Sequence, residues 1–143
     1  ISERPVMSPS YAFAITLAQP LPAAVETLRA ALAAEQMGIV SEVDMQATLK
    51  AKLGIDSAPQ RLLGVCSPKV AHALVTAEPD IAALLPCGAS AHEATPGQTR
   101  VLLQDPRVIL AASASQNPAV RDALESARAA LLRVVAALGG QGA

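Results

Sequence analysis

The sequence predicts an α+β domain in which helices pack on one face of a mostly antiparallel sheet. Three observations support this fold class. Strand and helix patterns alternate through the first half of the chain. A hairpin follows, in which Pro96-Gly97 suits the middle of a type II turn. No glycine-rich phosphate loop follows any predicted strand, as a parallel nucleotide-binding fold would require. A mixed α/β sheet is the alternative.

Five segments carry strand patterns. In residues 11–17 the larger side chains, from Tyr11 to Leu17, stand at every second position, so they fall on one face. The near-continuous apolar run of residues 60–66 is typical of a strand inside a sheet. The predicted strands are residues 11–17, 38–43, 60–66, 86–94 and 99–104.

Capping residues and helical spacing predict the helices. Asp44 is a predicted N-cap with Gly54 after the last turn, and Ser67-Pro68 is a predicted helix start. Gly38 is expected to close the first helix. The predicted helices are residues 22–38, 44–54, 68–78, 79–85, 107–113 and a last one from Asn117-Pro118, whose apolar stripe is Val120, Leu124, Ala127, Leu131, Val134 and Leu138, closed by Gly139-Gly140.

The composition fits one compact domain over residues 1–143, with flexible ends at 1–10 and 139–143. Hydrophobic residues make up 52% of the chain and charged residues 16%, which is unlike a disordered protein. Tyr11 and Phe13 are the only aromatic residues, so the core must consist mainly of Ala, Leu and Val.

Charge and hydropathy argue against several classes of partner. The net charge is −1, and neither a basic run nor a set of aromatic residues is present, so we expect no nucleic-acid binding. No apolar run reaches the roughly 18 residues needed to span a bilayer, so we expect no membrane partner. No signal peptide is recognisable, and we expect a cytoplasmic location, although the chain begins at Ile1 and an upstream segment could have been removed.

Three short motifs resemble the bacterial and archaeal family called domain of unknown function 302. They are the run from Glu42 to Gly54, the Gly-x-Cys-x-Pro turn from Gly64 to Pro68, and Leu-Leu-Pro-Cys from Leu84 to Cys87. The resemblance extends from about Ala24 to Leu110. It implies a small α+β domain that pairs into a homodimer, with a sheet covered by helices. The sequence departs from the family at Ser67 and Gly88, where Asn is common.

The candidate chemistry centres on Cys66. This thiol directly precedes a predicted helix start, where the helix dipole and Lys69 favour a thiolate. Cys87 opens the next strand, and His72 lies about one turn into the helix. Cys66, His72 and Cys87 could form a soft metal site, although their spacing is not a zinc pattern. A small ligand could contact Cys66, Ser67, Lys69, His72 and Cys87.

Other interpretations of these residues stay open. Free cysteine often packs as a small apolar side chain, and His72 could be a half-buried, hydrogen-bonded residue. Glu42 and Asp44 stand two apart, as a carboxylate pair for acid–base work would, but a cap and a surface ion pair explain them equally well. No residue is assigned a catalytic role, and the sequence requires no cofactor.

Three functions follow from these alternatives. The first is a non-enzymatic domain that binds or senses a small ligand or metal in a pocket near Cys66. The second is a thiol-dependent enzyme or sulfur carrier that uses Cys66. The third is a purely structural dimer module. A homodimer is expected in every case, because the chain is apolar for its size and its edge strands lack the Lys and Pro that discourage pairing.

Overall fold

The computed structural model describes residues 9–139, and these form an antiparallel sheet of five strands in the order β1-β5-β4-β3-β2. Every neighbouring pair is antiparallel, which confirms the α+β prediction over a mixed sheet. The elements are β1 (Ala12–Leu17), α1 (Leu21–Ala33), β2 (Gly38–Asp44), α2 (Met45–Leu53), β3 (Gln60–Cys66), α3 (Pro68–Ala77), a 3₁₀ helix (Pro79–Leu84), β4 (Cys87–Thr95), β5 (Gln98–Gln104), α4 (Arg107–Ser113) and α5 (Pro118–Ala137).

The larger core lies between one face of the sheet and the helices α1 and α5. Alternation along the strands directs the larger apolar residues to that face, and the helical stripes of α1 and α5 close over it. Small side chains such as Ala24 and Ala91 are fully buried there, so helix and sheet can approach closely. The strand residues of this core are Phe13, Ile15, Leu17, Leu63, Val65, Ala91, Val101 and Leu103.

A second, smaller core lies among α3, the 3₁₀ helix, α4 and the first half of α5. It consists of Leu74, Ile81, Ile109, Val120 and Leu124. Helix α5 therefore serves both cores, and its stripe confirms the sequence pattern. Its first five predicted members are buried and Leu138 is partly buried.

The structure confirms the predicted caps at Asp44, Gly54 and Asn117. Asp44 Oδ1 accepts a hydrogen bond from Ala47 N at 2.9 Å, and Asn117 Oδ1 accepts one from Ala119 N at 2.9 Å. Gly54 adopts a left-handed φ of 66° directly after α2, where a residue with a Cβ would be strained. The structure thus confirms where α2 begins and ends.

Two details of the sequence prediction are wrong. Tyr11 does not join the buried face of the first strand, because it lies in a turn before the strand and is 60% exposed. The first helix ends at Ala33 rather than at Gly38. A turn with Gln36 at a φ of 59° reverses the chain, so that Gly38 begins β2 instead.

The predicted flexible ends fall mostly outside the described residues, which exclude residues 1–8 and 140–143. Of the helices in residues 9–139, none combines the length and the apolarity that crossing a bilayer requires.

Candidate functional site

The two cysteines meet at one end of the sheet, which we call the thiol end. Strand β3 ends at Cys66, and β4 begins at Cys87, which lies opposite Val65 in the antiparallel register. Cys66 is therefore one position beyond the partner of Cys87 on the neighbouring strand. Both cysteines are free and half-buried. The antiparallel register places the two cysteines at the same end of neighbouring strands.

The Cys87 thiol stays protonated at neutral pH. Burial raises the pKa of this thiol to about 11, and the neighbouring Cys66 adds to the rise. A thiol with so high a pKa is a poor nucleophile near neutral pH, because nucleophilic attack requires the thiolate.

Gly64 explains part of the family-like Gly-x-Cys-x-Pro turn. A Cβ at this position would collide with the Oγ of Ser41 and would lie 2.6 Å from Cγ of Pro86. The glycine therefore lets Pro86, directly before Cys87, pack against β3. Gly88, its partner across the strands, has nothing within 4 Å of an added Cβ. Close packing at the thiol end thus depends on one of the two paired glycines.

A small apolar cavity lies behind the thiols. Its volume is about 40 Å³. The cavity opens between α3 and α5, next to the ends of β3 and β4. Its lining consists almost wholly of carbon and sulfur groups, and is formed by Met37, Val65, Cys66, Ser67, Val70, Ala71, Leu74, Leu85, Pro86, Cys87, Leu124, Ala127 and Leu131.

A larger open cleft adjoins this cavity. Its volume is about 410 Å³, within the usual range of small-molecule sites. The turn after α1 forms one side, and α3 and α5 form the other two. The cleft is lined by Ala34, Glu35, Gln36, Met37, Ser67, Lys69, Val70, Ala73, Ala123, Ser126, Ala127, Ala130 and Arg133. It shares Met37, Ser67, Val70 and Ala127 with the small cavity, so the two spaces are adjacent and share part of their walls.

The charges around this cleft differ in how they are compensated. Arg133 Nε lies 2.8 Å from Glu35 Oε1, so these two charges largely cancel. Lys69 is exposed and forms no ion pair with any residue in the described range 9–139. The cleft therefore carries one uncompensated positive charge above a floor of alanine side chains.

The structure separates the sequence-predicted site residues into two groups. Cys66, Ser67 and Cys87 line the small cavity, and Ser67 and Lys69 line the cleft. His72 is exposed on α3 and lines neither space. In residues 9–139, no three side chains of His, Cys, Asp or Glu come together as a metal site requires. The metal interpretation of Cys66, His72 and Cys87 thus gains no support from the geometry.

The carboxylates Glu42 and Asp44 have structural partners. Glu42 Oε1 lies 3.2 Å from Arg29 and 3.7 Å from Arg61. Asp44 caps α2. Neither carboxylate is left for acid–base chemistry in this arrangement.

Glu93 is a structural residue that the sequence did not single out. It lies at the opposite end of the sheet, which we call the hairpin end. Its Oε1 accepts a hydrogen bond from Leu21 N and its Oε2 accepts one from Gly97 N, each at 2.8 Å. These backbone hydrogen bonds lower the pKa of the Glu93 carboxyl below its usual value. One carboxylate thus ties the start of α1 to the β4–β5 turn, and its partner Leu21 lies 72 residues away, too far for a local pattern to indicate it.

A shallow depression of about 210 Å³ also lies at the hairpin end. Most of its polar lining is already engaged. Besides Glu93 and Asp44, Gln46 Nε2 donates to the Ser57 carbonyl at 2.8 Å, and Arg61 lies 3.7 Å from Glu42. The depression therefore offers a ligand few free polar groups.

A buried ion pair is a second feature that the sequence did not indicate. Arg128 Nε lies 3.2 Å from Asp105 Oδ1, and the arginine stands over the Phe13 ring at 5.5 Å. Asp105 also accepts a hydrogen bond from Arg107 N at 3.0 Å. The pair fixes α5 against the end of β5. The sequence did not indicate it, because Arg128 has the pattern of an ordinary surface residue on a helix.

Comparison with known proteins assigns the family. The model of the domain of unknown function DUF302 matches residues 13–138. The chain belongs to the DUF302 family. The crystal structure of an uncharacterized conserved DUF302 protein from Bacillus stearothermophilus superimposes with a TM-score of 0.76, at 20% identity, over 92% of this chain and 98% of that chain. At this identity the likeness concerns the DUF302 fold alone. No curated protein matches the sequence.

Proposed function

We propose that this DUF302 domain binds or senses a small molecule without catalysing a reaction, and that the cleft among α1, α3 and α5 is the binding site. The observation that carries the proposal is the adjacency of a 410 Å³ cleft, lined by both polar and apolar groups, to the apolar cavity beside Cys66 and Cys87. A concave space that combines apolar walls with a few convergent polar groups is the usual form of a small-molecule site.

In this proposal the thiols serve as walls of the site. Cys87 is protonated at neutral pH because burial raises its pKa to about 11, so it presents a soft, apolar surface. Ser67 lines both the cavity and the cleft, and Cys66 beside it lines the cavity. Both residues would contact a ligand that enters from the cleft.

Fragment binding followed by backbone amide NMR shifts tests the proposal. We expect fragments to shift amides between Ser67 and Ala73 and along α5. Ala73→Trp fills the cleft from an exposed position and should abolish these shifts. His72→Trp is the matched control, because His72 is exposed on the same helix and lines neither space. Shifts elsewhere, or equal effects of both variants, would refute the proposal.

The thiol-dependent alternative makes a different prediction for Cys66. A catalytic or carrier thiolate should react quickly with a thiol reagent near neutral pH, whereas a wall residue should react mainly after unfolding. Cys66→Ala should lower stability and alter fragment binding if the thiol lines the site. Rapid labelling of Cys66 in the folded protein would favour the enzyme or carrier instead.

We also propose that the chain forms a homodimer through the uncovered face of the sheet. Five of the seven exposed large apolar side chains in the described part of the chain fall between residues 40 and 62. Helix α2, which lies in this stretch, has no buried residue. Val43 and Leu62 pair across β2 and β3, so they share a face, and the row continues across the sheet through Ser90, Leu102 and Ala14. Such a patch on a small domain is typical of an interface.

Light scattering with a matched pair of variants tests the dimer. Leu62→Lys places a charge in the uncovered row and should yield monomers. Leu84→Lys is the control, because Leu84 is also exposed but lies in the 3₁₀ helix. A wild-type monomer from micromolar to millimolar concentration would refute the dimer. The expected absence of nucleic-acid binding stays a prediction from composition.

A further inference from the structure

We infer that the ligand of the cleft is a small amphipathic anion, with its anionic headgroup at Lys69 and its apolar chain directed toward Cys66 and Cys87. This inference rests on the proposed binding function and adds the chemical class of the ligand. It follows from the way in which polarity changes from the cleft to the adjoining cavity.

The outer part of the cleft is the polar part. Lys69, Ser126 and the paired Glu35 and Arg133 stand around it. Because the arginine charge is already compensated, Lys69 supplies the net positive charge. An anion there gains a partner without breaking an existing ion pair, whereas a cation would meet Lys69 with no free carboxylate to offset it.

The floor of the cleft is built from methyl groups. Ala73, Ala123, Ala127 and Ala130 line it on α3 and α5. Short side chains on two packed helices leave a channel, and none of these residues can donate or accept a side-chain hydrogen bond. These four methyl groups suit a saturated or otherwise apolar chain.

The inner cavity determines which group can stand at the end of the ligand's apolar chain. At about 40 Å³ it has room for only a terminal group of one or two carbons. Its walls include Leu74, Leu124 and Leu131 besides the thiols, and Cys87 is uncharged at neutral pH. A polar terminus would lose its hydration in this cavity without finding a partner, so the terminus is apolar.

Calorimetric titration with octanoate and octanamide tests the inference. The two probes have the same alkyl chain and differ in the charge of the headgroup. We expect octanoate to bind at least fivefold more tightly than octanamide, and Lys69→Gln to reduce octanoate affinity to the level of the amide. Lys52→Gln is the control, because Lys52 is an exposed lysine on α2 with no ion pair among the described residues. Octanoate affinity should also fall as salt is raised.

The outcomes separate this inference from the proposed function. Equal binding of octanamide and octanoate in the cleft would overturn the anionic class and leave small-ligand binding intact. If neither probe binds, the amphipathic class is overturned, and the fragment experiment decides the proposed function on its own. An equal loss of octanoate affinity in Lys69→Gln and Lys52→Gln would show general charge attraction and would also overturn the inference.

Discussion

The two ends of the sheet differ in how their polar groups are used. At the hairpin end, Glu93 accepts two backbone hydrogen bonds, and most of the other polar residues around the depression have partners within the protein. At the thiol end, a larger cleft is bordered by Lys69, which has no ion pair in residues 9–139. The two ends lie about 20 Å apart along β3.

This difference distinguishes the depression, whose polar groups have a structural role, from the cleft, which is a candidate for binding. A polar group that is already satisfied gains little from a ligand, because a new hydrogen bond only replaces an existing one. An uncompensated charge beside apolar surface can gain both a partner and apolar contact. The thiol end has this combination, and the hairpin end does not.

The largest effect on stability is expected at the thiol end, from Gly64→Ala. The new Cβ must displace Ser41 or Pro86, and the proline ring cannot rotate away. We expect a loss of about 1–3 kcal/mol in the free energy of unfolding, measured with urea. Gly88→Ala is the paired control, with nothing within 4 Å of its Cβ. Equal losses of stability in both variants would mean that close packing does not explain why a glycine stands at position 64.

A second effect at the thiol end concerns alkaline pH. The folded pKa of Cys87 is raised from 9.0 to about 11, so its stabilising contribution is fully present below pH 9 and is lost as pH rises toward 11. Relative to Cys87→Ala, the wild type should lose on the order of 2 kcal/mol over this interval. Urea unfolding of both proteins at a series of pH values measures the difference. A constant difference would contradict burial as the cause.

A smaller effect is expected at the hairpin end, where stability is lost as pH falls rather than as it rises. The folded pKa of Glu93 is lowered, so its contribution is present above the unfolded pKa of about 4.3 and is lost as pH falls through the folded pKa. Glu93→Gln should lower the melting temperature at neutral pH, and the gap to wild type should close in acid. Glu125→Gln, an exposed change on α5, should show no such dependence. If the difference in melting temperature between Glu93→Gln and wild type widened in acid, it would contradict the lowered pKa of Glu93.

Local patterns predicted much of the fold. The caps at Asp44 and Asn117, Gly54 and the stripe of α5 each depend on residues within a few positions of one another, so the sequence carries them directly. The end of α1 was predicted wrongly, because Gly38 follows a turn in which Gln36, and not a glycine, takes the left-handed conformation. Local rules favour glycine at such a position and so misplace the boundary.

The candidate site was predictable only in part. The pattern around Cys66 indicated a strand end before a capped helix, and the two thiols, Ser67 and Lys69 line the two adjoining spaces. The contribution of α5 was not predictable, since Ala123, Ala127 and Arg133 reach the site only through tertiary packing. The same reason hid the Glu93 contact, whose partner Leu21 lies 72 residues away.

The most direct test of the contrast between the two ends is the location of a bound amphipathic probe. Intermolecular NOEs between octanoate protons and assigned methyl groups measure this location in solution. The account predicts NOEs to Val70, Ala73 and Ala127 at the thiol end, with the terminal methyl of octanoate nearest Leu124 and Leu131. NOEs to Leu21 at the hairpin end, or octanoate bound with its carboxylate toward Leu131, would contradict it.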